Sequence, residues 1–295
     1  MSRGVLAAAF VIALPITAAV PANGPAGHVL FSRGEDIWVA RLDGTHARRV
    51  AGGPGPQDDP SWAPDGRSFV YRDSRRGYNA GDAIRRGSTE RSLDRRLAGG
   101  VINAWGPAWS PDGRLIAYNA GGQLYVMRPD GRGKRRITGI EAEYPTWSPD
   151  SRRLAFMSAH DDATGSNPDY DIFVVDLDGR RLQRLTEWPG EEGWPAWSPD
   201  GTLIAFTTTR DDHGQFAGGG PYVDIYVMRT DGSAKRRVVK GIFGSFPAWS
   251  PDGKLILFTG SGLSELRETL WVVRPDGSGR RSLGIEGTLA DWSER

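Results

Sequence analysis

The sequence predicts an all-β fold: a six-bladed β-propeller of four-stranded antiparallel blades, closed by pairing of its N- and C-terminal segments. Three observations predict it: a recurring turn motif, two apolar runs after most copies, and chain ends that carry complementary parts of one repeat. The motif is Trp-Ser-Pro-Asp-Gly or a close variant, and its copies begin at Trp62, Trp109, Trp147, Trp197, Trp249 and, truncated, Trp292. Their spacing of 38 to 52 residues is typical of propeller blades.

Each residue type in the motif has a structural use. Ser-Pro-Asp-Gly, as in residues 110–113, suits a type I turn, because Pro presets φ at the second position and Gly takes a left-handed conformation at the end. The Trp before the turn would bury on the order of 200 Å² between neighbouring blades. A Pro two residues before the Trp, as at Pro107, fits the beginning of a strand, where a missing N–H is tolerated.

The residues around each turn predict the four strands of a blade, here named A to D. Strand A contains the Trp, strand B follows the turn, as in residues 115–118, and strand C is the next apolar run, as in residues 123–127. Strands B and C are apolar at successive positions, which indicates sheets covered on both faces. Strand D is basic, as in residues 134–136, and charge on an outer edge opposes pairing with another molecule.

The two ends of the chain complete one blade. Residues 28–50 supply strands B, C and D without an A strand, and residues 288–293 supply an A strand alone. Together they form the sixth blade, and their complementarity is the strongest indication of six blades. Between residues 71 and 100 strand C is not obvious, since Asp82-Ala83-Ile84 is weakly apolar and no Asp-Gly turn follows. We expect a looser blade or a local insertion there.

Length and composition limit the remaining possibilities. One repeat type fills nearly all of the 295 residues, which favours a single domain. The formal net charge of +1 gives no reason to expect nucleic acid or an anionic membrane as a partner. The absence of Cys excludes disulfides, thiolate catalysis and Cys-ligated zinc.

The first 22 residues have the features of a secretory signal peptide. Arg3 provides the positive start, residues 5–20 carry no charge, and cleavage is expected after Ala22 or Ala19. An uncleaved anchor is the alternative, but this run contains Pro15 and is shorter than the roughly 20 residues that a span needs. We therefore expect a secreted or periplasmic protein, monomeric and without a membrane span after cleavage. Its segments are a signal peptide (1–22), a linker (23–27) and a propeller (28–295).

The repeats resemble the TolB-type propeller repeat, a relative of WD-repeat blades marked by Pro-x-Trp-Ser-Pro-Asp-Gly followed by an Ile-Tyr-Val-Met strand. The resemblance covers residues 28–295. It implies a six-bladed propeller that binds a protein partner in the cell envelope. In TolB an N-terminal α/β domain precedes the propeller, whereas here the repeats are expected to begin directly after the signal. Similar blades occur in prolyl-oligopeptidase-like peptidases and in metal-dependent oligogalacturonate lyases.

The loops between strands D and A have a common character that indicates a binding surface. Acidic residues and then, often, an aromatic residue come just before each A strand, and in a ring these positions would converge at one mouth of the central channel. The candidates for partner binding are Asp58, Asp59, Trp105, Glu141, Glu143, Tyr144, Glu191, Glu192, Trp194 and Phe246. The alternative is that the aromatic residues pack between blades and that the acids are solvated loop charges.

Two long loops between strands B and C are acidic and contain His. Carboxylates together with His can bind calcium, manganese or zinc, although the spacing matches no known metal motif. The weak candidates for such a site are His160, Asp161, Asp162, Asp211, Asp212 and His213. No cofactor is otherwise expected.

No catalytic motif is present in the sequence. It contains no Gly-x-Ser-x-Gly, no His-Glu-x-x-His and no phosphate-binding Gly-x-x-x-x-Gly-Lys loop. We therefore expect a non-enzymatic binding or scaffold module that engages a protein or peptide through its loop-rich face. The alternative is a lyase or hydrolase acting on glycans or peptides, with acids at the channel mouth as acid–base groups.

Overall fold

The computed structural model describes residues 27–74, 81–90, 93–99, 103–159, 170–211, 222–244, 246–260 and 268–293. Within these ranges the chain forms six four-stranded antiparallel sheets and contains no helix. No segment of this part of the chain could therefore cross a membrane as a helix. The predicted all-β, six-bladed architecture is confirmed. The predicted signal peptide lies outside the described residues.

The strands are short and follow one another in the predicted order A, B, C, D. In chain order they are β1 (His28–Arg33), β2 (Asp36–Arg41), β3 (Arg48–Ala51), β4 (Gln57–Trp62), β5 (Ser68–Asp73), β6 (Ala83–Ser88), β7 (Asp94–Gly99), β8 (Ala104–Trp109), β9 (Ile116–Ala120), β10 (Gln123–Met127), β11 (Arg135–Glu141), β12 (Glu143–Trp147), β13 (Arg153–Ala159), β14 (Tyr170–Asp176), β15 (Gln183–Arg184), β16 (Glu192–Trp197), β17 (Leu203–Thr208), β18 (Val223–Arg229), β19 (Arg236–Ile242), β20 (Ala248–Trp249), β21 (Ile256–Gly260), β22 (Thr269–Val273), β23 (Arg281–Glu286) and β24 (Thr288–Ser293).

Consecutive groups of four strands form the blades. Blades 1 to 5 are β4–β7, β8–β11, β12–β15, β16–β19 and β20–β23, and blade 6 consists of β24 with β1–β3. In blade 6 the last strand pairs antiparallel with the first, placing Val29 opposite Trp292 and Leu30 opposite Asp291. The ring is therefore closed by hydrogen bonds between the two ends of the described chain, as the sequence predicts.

The motif Trp residues pack where neighbouring blades meet. All six are at least 91% buried, and each belongs to one of six apolar clusters, one for every pair of adjacent blades. Trp249, for example, contacts Val227 of blade 4 and Ile256 of blade 5 within one cluster. Two indoles also donate across the seam: Trp147 to the carbonyl of Ala108 and Trp249 to that of Ala196, each at 3.0 Å. Blades thus bury their two faces against each other rather than on a central core.

The Ser-Pro-Asp-Gly segments form the expected turns with an additional bond. In blade 2 the N–H of Gly113 donates to the carbonyl of Ser110 at 2.9 Å, which closes the turn. The Ser110 hydroxyl donates to Asp112 and accepts from the N–H of Leu115. The equivalent Ser bond lowers the pKa of Asp150, Asp200 and Asp252 below the usual value. The motif Asp is therefore a turn residue and not a free acid.

The described residues between 71 and 100 belong to a regular four-stranded blade, so the expected looser blade is wrong. The possible insertion falls partly on residues outside the described ranges. Its C strand, β6, carries Arg85 and Arg86 where other blades have apolar residues. Arg85 forms ion pairs with Asp73 and Asp94, and the guanidinium of Arg86 lies 5.2 Å from the ring of Trp109 in blade 2. The long arginine stems replace the aliphatic side chains, which hid the strand in the sequence.

The basic residues of the D strands bind neighbouring strands and blades as well as protecting an edge. In four blades an arginine of strand D reaches the first or second residue of strand C, in the pairs Asp36–Arg49, Gln123–Arg136, Asp171–Arg184 and Asp224–Arg237. Other arginines donate to a backbone carbonyl of the next blade, as Arg95 does to Asp130 at 3.1 Å. The outer edge of the ring is therefore tied together by charge-assisted hydrogen bonds.

Candidate functional site

In every blade the residue three positions before the motif Trp has a left-handed conformation; it lies within strand A in five blades and just before β20 in blade 5. The φ angles of these residues lie between 47° and 60°, and in five of the six blades the strand register shifts across them. In blade order the six residues are Asp59, Gly106, Tyr144, Trp194, Phe246 and Leu289. All six line the central channel, and we call them the channel ring. Positive φ is uncommon for bulky residues, so the bulge holds these side chains at an energetic cost.

Three of the ring residues form an aromatic cluster inside the channel. The ring centroids of Trp194 and Phe246 are 5.1 Å apart with an interplanar angle of 70°. Tyr144 lies 5.8 Å from Trp194 and 6.4 Å from Phe246. Because these residues come from blades 3, 4 and 5, their contacts cover half of the ring. The sequence predicted that they would converge, and the structure brings them together.

The channel encloses a cavity of about 740 Å³ that is lined by all six A strands. Its lining extends from the channel ring to the prolines of the A–B turns. A volume of this size is ordinary for a small-ligand or peptide-side-chain site. Four of the ring residues are only partly buried, so their side chains remain available to an entering group: Tyr144, Trp194, Phe246 and Leu289. Gly106 is buried, and the side chain of Asp59 is 7% exposed.

Asp59 is the charged member of the channel ring, and its neighbours set its electrostatics. Its carboxylate accepts a 3.2 Å hydrogen bond from the N–H of Gly106 and lies 3.9 Å from the Nε of Arg72. Arg72 gives its two strong hydrogen bonds, both 2.6 Å, to Asp58 instead. Burial, with the nearby charge of Asp58, raises the pKa of Asp59 to about 7, and Arg72 opposes the rise.

Asp291 is a second carboxyl group in the cavity lining, and sequence reasoning missed it. Its two oxygens accept hydrogen bonds from the N–H of Trp62 in blade 1, at 2.7 Å, and from that of Trp292 in blade 6, at 2.8 Å. Burial raises its pKa to about 6, although both hydrogen bonds oppose the rise.

The channel-ring residue of blade 2 differs from the one that the sequence led us to expect. The sequence grouped Trp105 with Tyr144, Trp194 and Phe246, but the structure places Gly106 at the equivalent position. Trp105 is one residue earlier in β8, opposite Asn119 of β9, and does not line the cavity. Counting back three residues from each motif Trp would have identified Gly106, and it would also have found Leu289 in blade 6.

The remaining predicted acids lie outside the cavity in two different settings. Asp58 is held by Arg72, and Glu192 is fully buried, where it accepts a 2.8 Å hydrogen bond from the Thr208 hydroxyl. Burial raises the pKa of Glu192 to about 7. Glu141, Glu143 and Glu191 instead lie near Tyr170, where their charges help to raise the tyrosine pKa beyond the effect of burial. They form an acidic patch on the face that carries the D–A loops.

Most of the weak metal candidates lie outside the described residues, namely His160, Asp161, Asp162, Asp212 and His213. Asp211 is described, and its carboxylate accepts hydrogen bonds from Tyr226 at 2.9 Å and from Arg237 at 3.0 Å. Among the described residues no group of three or more His, Asp or Glu side chains could hold a metal ion. The metal site stays a prediction.

Comparisons of shape find many similar propellers. The chain superimposes on TolB from Acinetobacter baumannii with a TM-score of 0.73 and 20% identity, covering 90% of this chain and 66% of that one. It superimposes on a putative TolB from Agrobacterium tumefaciens with a TM-score of 0.70 and 23% identity, covering 89% and 90%. A chain of a Nidogen/Laminin complex gives a TM-score of 0.67 with 12% identity, covering 90% and 98%. At these identities the likeness shows the fold.

Sequence comparison adds the family. A search of curated proteins finds no significant match. The family model of the TolB beta propeller domain, however, matches residues 106–265, which are more than half of the chain. The matched segment contains four of the six channel-ring residues and four motif turns. The protein therefore belongs to the TolB beta-propeller domain family.

Proposed function

We propose that the chain is an exported, non-enzymatic binding propeller that engages a protein or peptide partner through its loop-rich face. The partner would insert an anchoring side chain into the central channel. The signal-like residues 1–22 support export to the periplasm or to the outside of the cell.

The observation that carries the proposal is the aromatic cluster of the channel ring. Tyr144, Trp194 and Phe246 hold a left-handed backbone conformation that is unfavourable for bulky residues. Strain of this kind is concentrated at functional sites, where the surrounding structure holds it in place. Clustered, partly exposed aromatic residues beside a cavity are also the typical anchors of protein interfaces.

The acidic patch lies on the face that carries the D–A loops, and it supports this face as the binding surface. Glu141 and Glu191 are exposed, and Glu143 is partly buried, with its pKa raised by burial and by the charge of Glu141. Charges around an apolar centre favour encounter with a partner of opposite charge and do less for the final affinity. The shape likeness to a chain of a Nidogen/Laminin complex is in keeping with such a role, since that chain was solved together with a protein partner.

The enzyme alternative rests on Asp59 and Asp291, because two carboxyls with raised pKa in one cavity are a feature of acid–base catalysis. Both groups, however, already accept backbone hydrogen bonds that hold A strands in place. This structural use favours binding as the main function.

The test is affinity capture from the exported fraction, using the purified protein and two variants as baits. The double variant Tyr144→Ala, Trp194→Ala should lose a partner that the unchanged protein retains. Leu182→Ala is the matched control, because Leu182 is an exposed apolar side chain between strands C and D of blade 3, outside the cavity. Equal capture by a folded double variant would contradict the proposal.

A further inference from the structure

We propose that the central cavity binds the guanidinium group of an arginine side chain, seated between the Asp59 carboxylate and the aromatic cluster of the channel ring. The inference rests on the proposed function, because the arginine would belong to the protein or peptide partner. It specifies the chemistry of the residue that enters the channel.

The first argument is the charge of the cavity lining. Asp59 and Asp291 are its acidic side chains, and no Lys, Arg or His of the described residues lines it. An anionic group would meet two carboxyls in the lining, and a neutral group would add nothing to the single ion pair that the described residues give Asp59, the 3.9 Å contact with Arg72. A cation would pair with the carboxyl groups of the lining. The attraction between opposite charges is stronger in a partly desolvated site than in water.

The second argument is the free hydrogen-bonding capacity of Asp59. Its Oδ2 accepts the N–H of Gly106, whereas its Oδ1 accepts no hydrogen bond from any described residue. Arg72 cannot satisfy it, because that guanidinium is bidentate on Asp58. The carboxylate of Asp59 can therefore accept from an incoming N–H donor.

The third argument is the gap in the channel ring at Gly106. This residue lies between Asp59 and Tyr144 in blade order and has no side chain to fill the intervening space. A methyl group added there would be in ordinary van der Waals contact with the Cα of Tyr144 at 3.4 Å and the Cδ of Pro145 at 3.5 Å. Blade 2 therefore places no side chain of its own beside the Asp59 carboxylate that could compete with an entering group.

The fourth argument selects arginine over lysine. A guanidinium is planar, stacks on aromatic faces and offers several donors to one carboxylate, whereas an ammonium is a compact and strongly hydrated charge. The chain itself pairs arginine with aromatic rings repeatedly. Arg210 lies 4.2 Å from the Trp188 ring and Arg153 lies 4.9 Å from the Trp197 ring. The three aromatic rings in the cavity offer the same contact.

The experiment is titration calorimetry of the full protein with three short peptides: acetyl-Gly-Arg-Gly-amide, its citrulline analogue and its lysine analogue. Citrulline is the matched control, because it keeps the shape of arginine and removes the charge. We expect the arginine peptide to bind about tenfold more tightly than the citrulline peptide and severalfold more tightly than the lysine peptide. Equal affinity for arginine and citrulline, or tighter binding of lysine, would overturn the proposal.

Variants assign the binding to Asp59. In Asp59→Asn the preference for arginine over citrulline should disappear, and in Asp59→Glu it should persist. In Glu90→Gln, at an exposed acid between strands C and D of blade 1 and outside the cavity, the preference should be unchanged. Thermal unfolding confirms that each variant is folded, and the Asp59→Glu result keeps the test valid if Asp59→Asn fails to fold. An unchanged preference in folded Asp59→Asn would also overturn the proposal.

The outcome can be separated from that of the proposed function. If partner capture depends on Tyr144 and Trp194 but the arginine peptide shows no preference, the binding function stands and the guanidinium assignment is wrong. If the peptide preference is present and depends on Asp59 but no partner is captured, the cavity chemistry stands and the proposed partner function is wrong.

Discussion

The N–H of Trp62 donates a 2.7 Å hydrogen bond to the carboxylate of Asp291, 229 positions further along the chain. The bond joins blade 1 to blade 6 at the seam where the ring closes. The corresponding bond at the next seam runs from the N–H of Trp109 to the hydroxyl of Ser61, at 3.2 Å. The same position before the motif Trp therefore links neighbouring A strands in both places, with a carboxylate at the closing seam.

Asp291→Asn should destabilise the ring. The amide NH₂ of Asn cannot accept a hydrogen bond, so one of the two N–H groups now bound by Asp291 would lose its acceptor. We expect a loss of about 1–3 kcal/mol in the free energy of unfolding, measured by urea titration. Ser61→Ala, which removes the neutral acceptor at the next seam, should cost less. An equal or larger loss of stability in Ser61→Ala would show that the bond at the closing seam contributes no more than the bond at the next seam.

Stability should depend on pH through the buried acids. Burial raises the pKa of Glu192 to about 7, so its contribution to stability is present below the usual carboxyl pKa and is lost as the pH rises through about 7. Asp291 acts in the same sense near pH 6. As the pH rises from about 5 to about 8, the free energy of unfolding should therefore fall by about 1–3 kcal/mol less in Glu192→Gln than in the unchanged protein. Identical slopes for the two proteins in thermal unfolding against pH would refute this prediction.

The indole N–H groups of the motif Trp residues should contribute differently to the stability of the fold. Trp147 donates to the carbonyl of Ala108, whereas the buried Nε1 of Trp197 has no hydrogen-bond partner among the described residues. Replacement by Phe removes the N–H in both and retains most of the apolar area. Trp147→Phe should cost about 1 kcal/mol more than Trp197→Phe in denaturant unfolding. A greater cost for Trp197→Phe would contradict the assigned bond.

The left-handed conformation at Gly106 should make substitution by a residue with a side chain unfavourable. Gly106 has φ 57°, so Gly106→Ala should destabilise the protein by about 1 kcal/mol. Gly139 is the matched control, because its φ is not left-handed and no atom lies within 4 Å of an added methyl group. Gly139→Ala should be neutral or slightly stabilising in the same thermal unfolding measurement. Equal effects at the two positions would show that the ring conformation is not strained.

The proposed export predicts a mature protein whose N-terminus lies within the first 25 residues of the sequence. Cleavage after Ala22 gives an N-terminus at Asn23, and cleavage after Ala19 gives one at Val20. N-terminal sequencing of protein recovered from the exported fraction distinguishes the two. Recovery of a chain that retains Arg3 would instead favour the uncleaved anchor.

The sequence was sufficient to predict the architecture because every blade repeats the same turn motif and apolar strands. Each Trp-Ser-Pro-Asp-Gly copy encodes a turn by its own backbone preferences, and the Trp before it is too large and apolar to remain exposed. A single blade cannot bury both of its faces, so the repeats must stack, and the complementary ends at residues 28–50 and 288–293 determine that the stack closes. Only the blade with Arg85 and Arg86 was obscured, because burial of arginine stems depends on partners that lie far away in the chain.

The site was decided by tertiary structure. A bulge of one residue determines which residue of each A strand faces the channel, so Gly106 rather than Trp105 occupies the ring. The pattern of acidic and aromatic residues pointed to Trp105, and the constant distance from the motif Trp became meaningful only once the bulge was seen. Asp59 and Asp291, 232 positions apart, meet the same cavity because the ring closes, and their raised pKa values arise from burial that no local sequence encodes. Turns and apolar runs act over a few residues, whereas a channel exists only after six distant segments have been placed around one axis.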